Sequence, residues 1–183
     1  MGGLIRLVRG VPGHPAHPPL TDVTIGVYTF AALLGVIGSL GGMREVATRA
    51  MFVALVAGLI STAPTAATGF IDWLSLSWGG ATWRTATLHM AATLSATVLF
   101  ALAAWLQWPG YQRATVTAGG LILALLGFAA LTVGGWLGGT VVFVHGARVL
   151  GHADEPTRQA IKPGRKGEDL SSRLNIGPSG RTP

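Results

Sequence analysis

The stretch TVTAGGLILALLGFAALTVGGWLGGTVVFVH, residues 115–145, contains no Asp, Glu, Lys or Arg. About 20 consecutive apolar residues suffice for an α-helix to cross roughly 30 Å of hydrocarbon. The segment therefore predicts a transmembrane helix from about Thr115 to His145, and its excess length predicts a tilt or a projection past the bilayer. Three more apolar blocks precede it, over Asp22–Gly42, Arg49–Ile71 and Arg84–Trp105. The expected fold is all-α: a four-helix transmembrane bundle followed by a polar, basic C-terminal tail.

Composition agrees. Half of the 183 residues are hydrophobic and 11% are charged, whereas a soluble domain is about 25% charged. Cysteine is absent, which excludes disulfides, thiolate metal sites, c-type haem attachment and cysteine nucleophiles. The net charge of +6 comes mostly from the tail and from residues flanking helix ends. It fits anionic lipid headgroups better than nucleic acid. The opening MGGLIRLVRG is not a secretory signal, because the first long apolar run starts only near Val23 and exceeds the ~7–15-residue core of such a signal.

Three regions follow. Residues 1–20 form a Pro- and His-rich cap. In VPGHPAHPP the prolines at 12, 15, 18 and 19 argue against helix, so the first helix is expected to be capped by Thr21 or Asp22. Residues 21–150 form the bundle. Pro64 predicts a kink in the second helix, Asp72 ends that helix, and WLSLSWGGATW at 73–83 reads as a tryptophan-rich interfacial loop. Trp108, Pro109 and Gly110 predict the next turn. Residues 151–183 have no apolar period, and order is expected only against a partner.

Small residues recur four apart: Gly38 and Gly42, Ala54 and Gly58, Ala92 and Ala96, Gly134 and Gly138, Gly135 and Gly139. Such pairs let helices approach closely in lipid. An even number of crossings puts both termini on one side. That side carries Arg6, Arg9, Arg84, Arg148 and the basic tail, against Arg44, Arg49 and Arg113 on the other. This predicts an inner-membrane protein with both termini in the cytoplasm.

The same topology gathers four histidines at one membrane face. His14 and His17 precede the first helix, His89 lies near the start of the third, and His145 ends the fourth. Asp72 and Arg84 belong to that face too. Facing helices of a bundle can supply cofactor ligands. His89 and His145 are the expected axial pair of a b-type haem, with His17 and His14 as a second pair or as supporting groups. Gly138 and Gly134, above His145, would leave room for a flat macrocycle. The competing chemistry is a metal ion held by His14, His17, His89 and His145 with Asp72. The plainer readings are interfacial hydrogen bonding by the histidines, packing by the glycines and an Asp72–Arg84 ion pair closing the hairpin. Nucleotide-loop, zincin and nucleophile-elbow motifs are absent, and no charge lies deep in a span.

GHPAHPPLTDVTIG at 13–26, GFIDW at 69–73, RTATLHM at 84–90 and GWLGGTVVFVHG at 135–146 together resemble a bacterial family of four-helix membrane proteins of unknown function. That family opens with His-Pro-x-His-Pro-x-Leu. The resemblance spans about residues 11–150 and implies an association with Rieske or cytochrome redox modules. With no cysteine and a short tail, this chain would rely on a separate redox partner.

The leading expectation is thus an electron-transfer subunit, b-type cytochrome-like or quinone-linked. The alternative is a non-catalytic membrane anchor or assembly subunit of a respiratory or redox complex, with no cofactor of its own. A small-molecule carrier would want a polar group in mid-span, and only Ser and Thr are on offer.

Overall fold

The structure is a computed structural model describing residues 8–11, 13–150 and 156–162. Four long helices dominate it: α1 (His17–Ser39), α2 (Arg44–Leu74), α3 (Ala81–Arg113) and α4 (Ala118–Gly139). Each is long and apolar enough to cross a membrane, α4 with its continuation to Val144. A two-residue hairpin, β1 (Gly10–Val11) with β2 (His14–Pro15), precedes α1. A π turn over Thr140–Val144 closes α4, and a short helix α5 (Thr157–Ala160) lies in the tail.

Helix limits depart from the sequence expectation at the prolines. α1 starts at His17 with Ala16 as its N-cap, so Pro18 and Pro19 sit in its first turn. There the backbone N–H groups have no helical acceptor in any case, and proline costs little. α3 runs through Pro109 and stops only where Ala114 turns left-handed at φ 52°. Just before that stop lies Gln107, fully buried. Its side chain donates to the Thr115 carbonyl at 3.1 Å and accepts from Thr117 N at 2.9 Å, fastening the α3–α4 turn.

The tight seams are α1 against α2 and α3 against α4, with α2–α3 and α4–α1 completing the ring. The bundle is therefore two helical hairpins, with α1 and α3 facing across its diagonal. Its core sets small residues, Ala31, Ala47, Ala54, Ala96, Ala103 and Ala124, around two aromatic rings, with Leu34, Met51, Leu55 and Leu131 filling the rest. Tyr28 and Phe100 stack across the diagonal at 3.9 Å with planes 5° apart. Tyr28 lies over Gly58 and Phe100 over Gly127, so the α1–α2 and α3–α4 seams use one device.

Many other large apolar side chains point outward: Phe30, Leu33, Ile60, Leu94, Val98, Ile122 and Val133 are all exposed. In water that surface would be a liability. In a bilayer it is the lipid contact. Aromatic rings mark both ends, with Phe70, Trp73, Trp78 and Trp83 at one and Phe52, Trp108 and Tyr111 at the other. Such belts sit at membrane–water interfaces. The protein is an all-α, membrane-embedded four-helix bundle.

Candidate cofactor site

His17 opens α1, and its ring packs on α2. A Cβ on Gly69 would lie 2.6 Å from His17 Cε1, so only glycine leaves room. The His17 Nδ1 lies 3.0 Å from the Thr65 carbonyl oxygen and 3.2 Å from Thr68 Oγ1. His89, in α3, repeats this against α4. Its ring fills the space over Gly138, 3.0 Å from the position of a Cβ there, and its Nδ1 lies 2.7 Å from the Gly134 carbonyl oxygen. In both hairpins the accepting carbonyl belongs to the residue four before the cradling glycine. A carbonyl can only accept, so Nδ1 carries a proton in both rings, and in the neutral imidazole that leaves the lone pair at Nε2.

Four residues after each histidine a threonine bonds back to its carbonyl, Thr21 at 2.9 Å and Thr93 at 3.0 Å. The correspondence holds through both helices. His17 and His89, Thr21 and Thr93, Ala31 and Ala103, Gly38 and Gly110 all share one offset of 72 residues, as do the stacked Tyr28 and Phe100. α2 and α4 match at an offset of 69 residues, pairing Gly58 with Gly127 and Gly69 with Gly138. The histidines are thus equivalent positions of an internal repeat. They meet across the diagonal with ring centres 6.4 Å apart and planes at 82°.

Two cavities flank the pair. Both are lined by His17, His89, Ala66, Thr93 and Leu94. The inner one, about 70 Å³, ends at Tyr28 and Thr97. The outer one, about 580 Å³, opens past Met90, Trp73 and Val142 toward a charged mouth. That volume falls in the range of about 300–1,000 Å³ usual for cofactor and ligand sites. At the mouth Asp72 takes Arg9 Nε at 3.0 Å and faces Arg148 Nε at 3.8 Å.

The other expected site residues lie elsewhere. His14 is exposed on β2. His145 caps the π turn, its Nε2 3.0 Å from Thr85 Oγ1. Neither lines either of these two cavities, and among the described residues the ring that the fold brings to His89 is His17 rather than His145. Gly138 and Gly134 serve the His89 imidazole directly, as cradle and as carbonyl acceptor. Arg84 donates to the Gly79 carbonyl at 3.1 Å instead of meeting Asp72. The fifth histidine of the chain, His152, which no site expectation includes, lies outside the described residues. Among the described residues no three His, Cys, Asp or Glu converge in a metal-holding group, so the four histidines and Asp72 do not form one cluster.

Sequence reasoning missed Arg9, Arg148, Gly69 and Gln107. The repeat would have exposed Gly69: HPPLT at 17–21 and HMAAT at 89–93 share His-x-x-x-Thr, and in the helices that follow them Gly69 stands where Gly138 does. No curated protein and no solved structure matches this chain. Residues 13–151 do match a family profile described as a predicted membrane protein, and the chain belongs to that family, DUF2231.

Proposed function

We propose that this protein is a membrane electron-transfer subunit that holds a b-type haem between His17 and His89. The observation that carries the reading is the histidine pair itself. Two imidazoles from diagonal helices are each tied through Nδ1 to a backbone carbonyl, which orients Nε2 for ligation and raises its basicity. An imidazole nitrogen that binds a metal lies about 2.0–2.1 Å from it, so two rings that would share one metal ion between them must stand within several ångströms of each other. The observed 6.4 Å fits that spacing. Cavity on both sides of the pair, apolar within and cationic at its mouth, fits a flat, amphipathic ring.

His17 and His89 would hold the haem, which when bound would supply one-electron exchange at a potential tuned by its surroundings. The chain's own part is positional. Gly69 and Gly138 seat the two imidazoles, Thr65 and Gly134 fix their tautomer, and Tyr28, held by its stack on Phe100, lines the inner cavity. The reading extends to a bacterial inner membrane with both termini cytoplasmic, and to a redox partner on a separate chain, of Rieske or cytochrome type.

The test is the visible spectrum of detergent-purified protein expressed with haem available, oxidised and then dithionite-reduced. A Soret band with split α and β bands on reduction is expected. It should vanish in His17→Ala and His89→Ala and persist in His145→Ala, with all three proteins helical by circular dichroism. A featureless wild-type spectrum, or bands indifferent to both substitutions, contradicts the proposal.

A further inference from the structure

We infer that Arg9 and Arg148 form a carboxylate clamp at the mouth of the outer cavity, taking the acidic edge of the ring held by His17 and His89. The inference rests on the haem reading and adds the residues that recognise the propionates.

Among the described residues the charges do not balance: Arg9 and Arg148 share one carboxylate, Asp72, and the three side chains are only 26%, 26% and 18% exposed. All three line the cavity wall. A surplus cation at a half-buried wall favours an anionic ligand. The donors do not balance either. A guanidinium carries five N–H donors. Arg9 spends one on Asp72 and one on Ser75 Oγ, at 3.0 and 2.9 Å. Arg148 spends one on the Arg9 carbonyl at 2.7 Å, and its 3.8 Å approach to Asp72 is beyond hydrogen-bond range. Among the described residues the remaining donors have no acceptor.

Arg148 is also planted with care. It takes a left-handed backbone, φ 64°, directly after the π turn, where Gly146 is left-handed too and Ala147 N returns to the Val141 carbonyl at 3.1 Å. Non-glycine residues hold that conformation only where their surroundings enforce it. The result carries the guanidinium back from the end of α4 to the β-hairpin ahead of α1. Asp72 acts here as a positioning residue, holding both guanidiniums at the mouth. The gradient along the cavity, from His17 and His89 past Met90 and Val142 to two arginines beside Trp73, matches a ligand with an apolar body and an acidic rim at the membrane interface.

The experiment titrates the full-length apoprotein in detergent with hemin and with hemin dimethyl ester, whose carboxylates are masked. Wild type should bind the free acid about tenfold to a hundredfold more tightly, the scale of charge-assisted hydrogen bonds. Arg148→Gln and Arg9→Gln should narrow that ratio by weakening the acid alone. Equal affinities in wild type, with a Soret band that still needs His17, overturn the clamp and leave the haem reading standing. No His17-dependent band with either compound overturns both.

Discussion

The two hairpins share a scaffold and differ in what they hang on it. Both seat a histidine over a glycine, tie its Nδ1 to a carbonyl one turn earlier, and lay an aromatic ring over a second glycine. In the first hairpin, however, Thr24, Ser61, Thr62, Thr65, Thr68 and Tyr28 carry hydroxyls. The equivalent positions of the second are Ala96, Ala130, Leu131, Gly134, Leu137 and Phe100. Thr24 bridges to Ser61 at 3.1 Å and Thr65 at 2.9 Å, and Tyr28 OH meets Thr62 Oγ1 at 3.1 Å. So α1 and α2 are joined by hydroxyl bonds where α3 and α4 are joined by close packing of small residues. Both solutions work in lipid, which supplies no hydrophobic drive between helices. What survives in both hairpins, histidine, cradling glycine and carbonyl, marks the parts the site requires.

That comparison can be broken in stages. The largest effect is expected at the cradles. Gly69→Leu and Gly138→Leu should each push an imidazole out of the slot and reduce haem content to background, and the two should do so equally. A loss in only one, read from the Soret absorbance per protein, would show that the hairpins are not equivalent ligands. Next come Gly58→Leu and Gly127→Leu, which overpack the aromatic seam by about 1–3 kcal/mol. Thermal unfolding in detergent should register both. Phe100→Tyr buries a hydroxyl opposite Leu131, where hairpin two has no counterpart of Thr62, and should cost about 1–3 kcal/mol. The mirror change, Tyr28→Phe, keeps the stack and removes one interhelical bond, at about 0.6 kcal/mol. If Tyr28→Phe costs more than Phe100→Tyr, the hydroxyls of the first hairpin do more than join helices.

Much of this architecture was legible in the sequence. Four apolar blocks with no charge in their interiors demand four spans because lipid leaves the backbone no other donors or acceptors. The topology alone puts His17, His89 and His145 at one face. Helix ends were less legible, since Pro18, Pro19 and Pro109 are tolerated where the backbone N–H would be unpaired or the helix is about to stop. Pairing was illegible from topology because it depends on how each helix is rotated about its axis, and packing decides that. His89 faces α4 and the diagonal because Gly138 and the Gly134 carbonyl receive it. His145 falls past the last regular turn of α4, where the π turn carries it to Thr85. The pairing signal that topology lacks is the repeat offset linking HPPLT to HMAAT.

The central claim, that His17 and His89 ligate one haem, is tested most directly by redox titration of His17→Met beside His145→Met and wild type. A Met/His axial set raises the potential relative to two imidazoles. The account predicts a higher midpoint in His17→Met and an unchanged one in His145→Met. A midpoint that moves with residue 145 and not with residue 17 would contradict it.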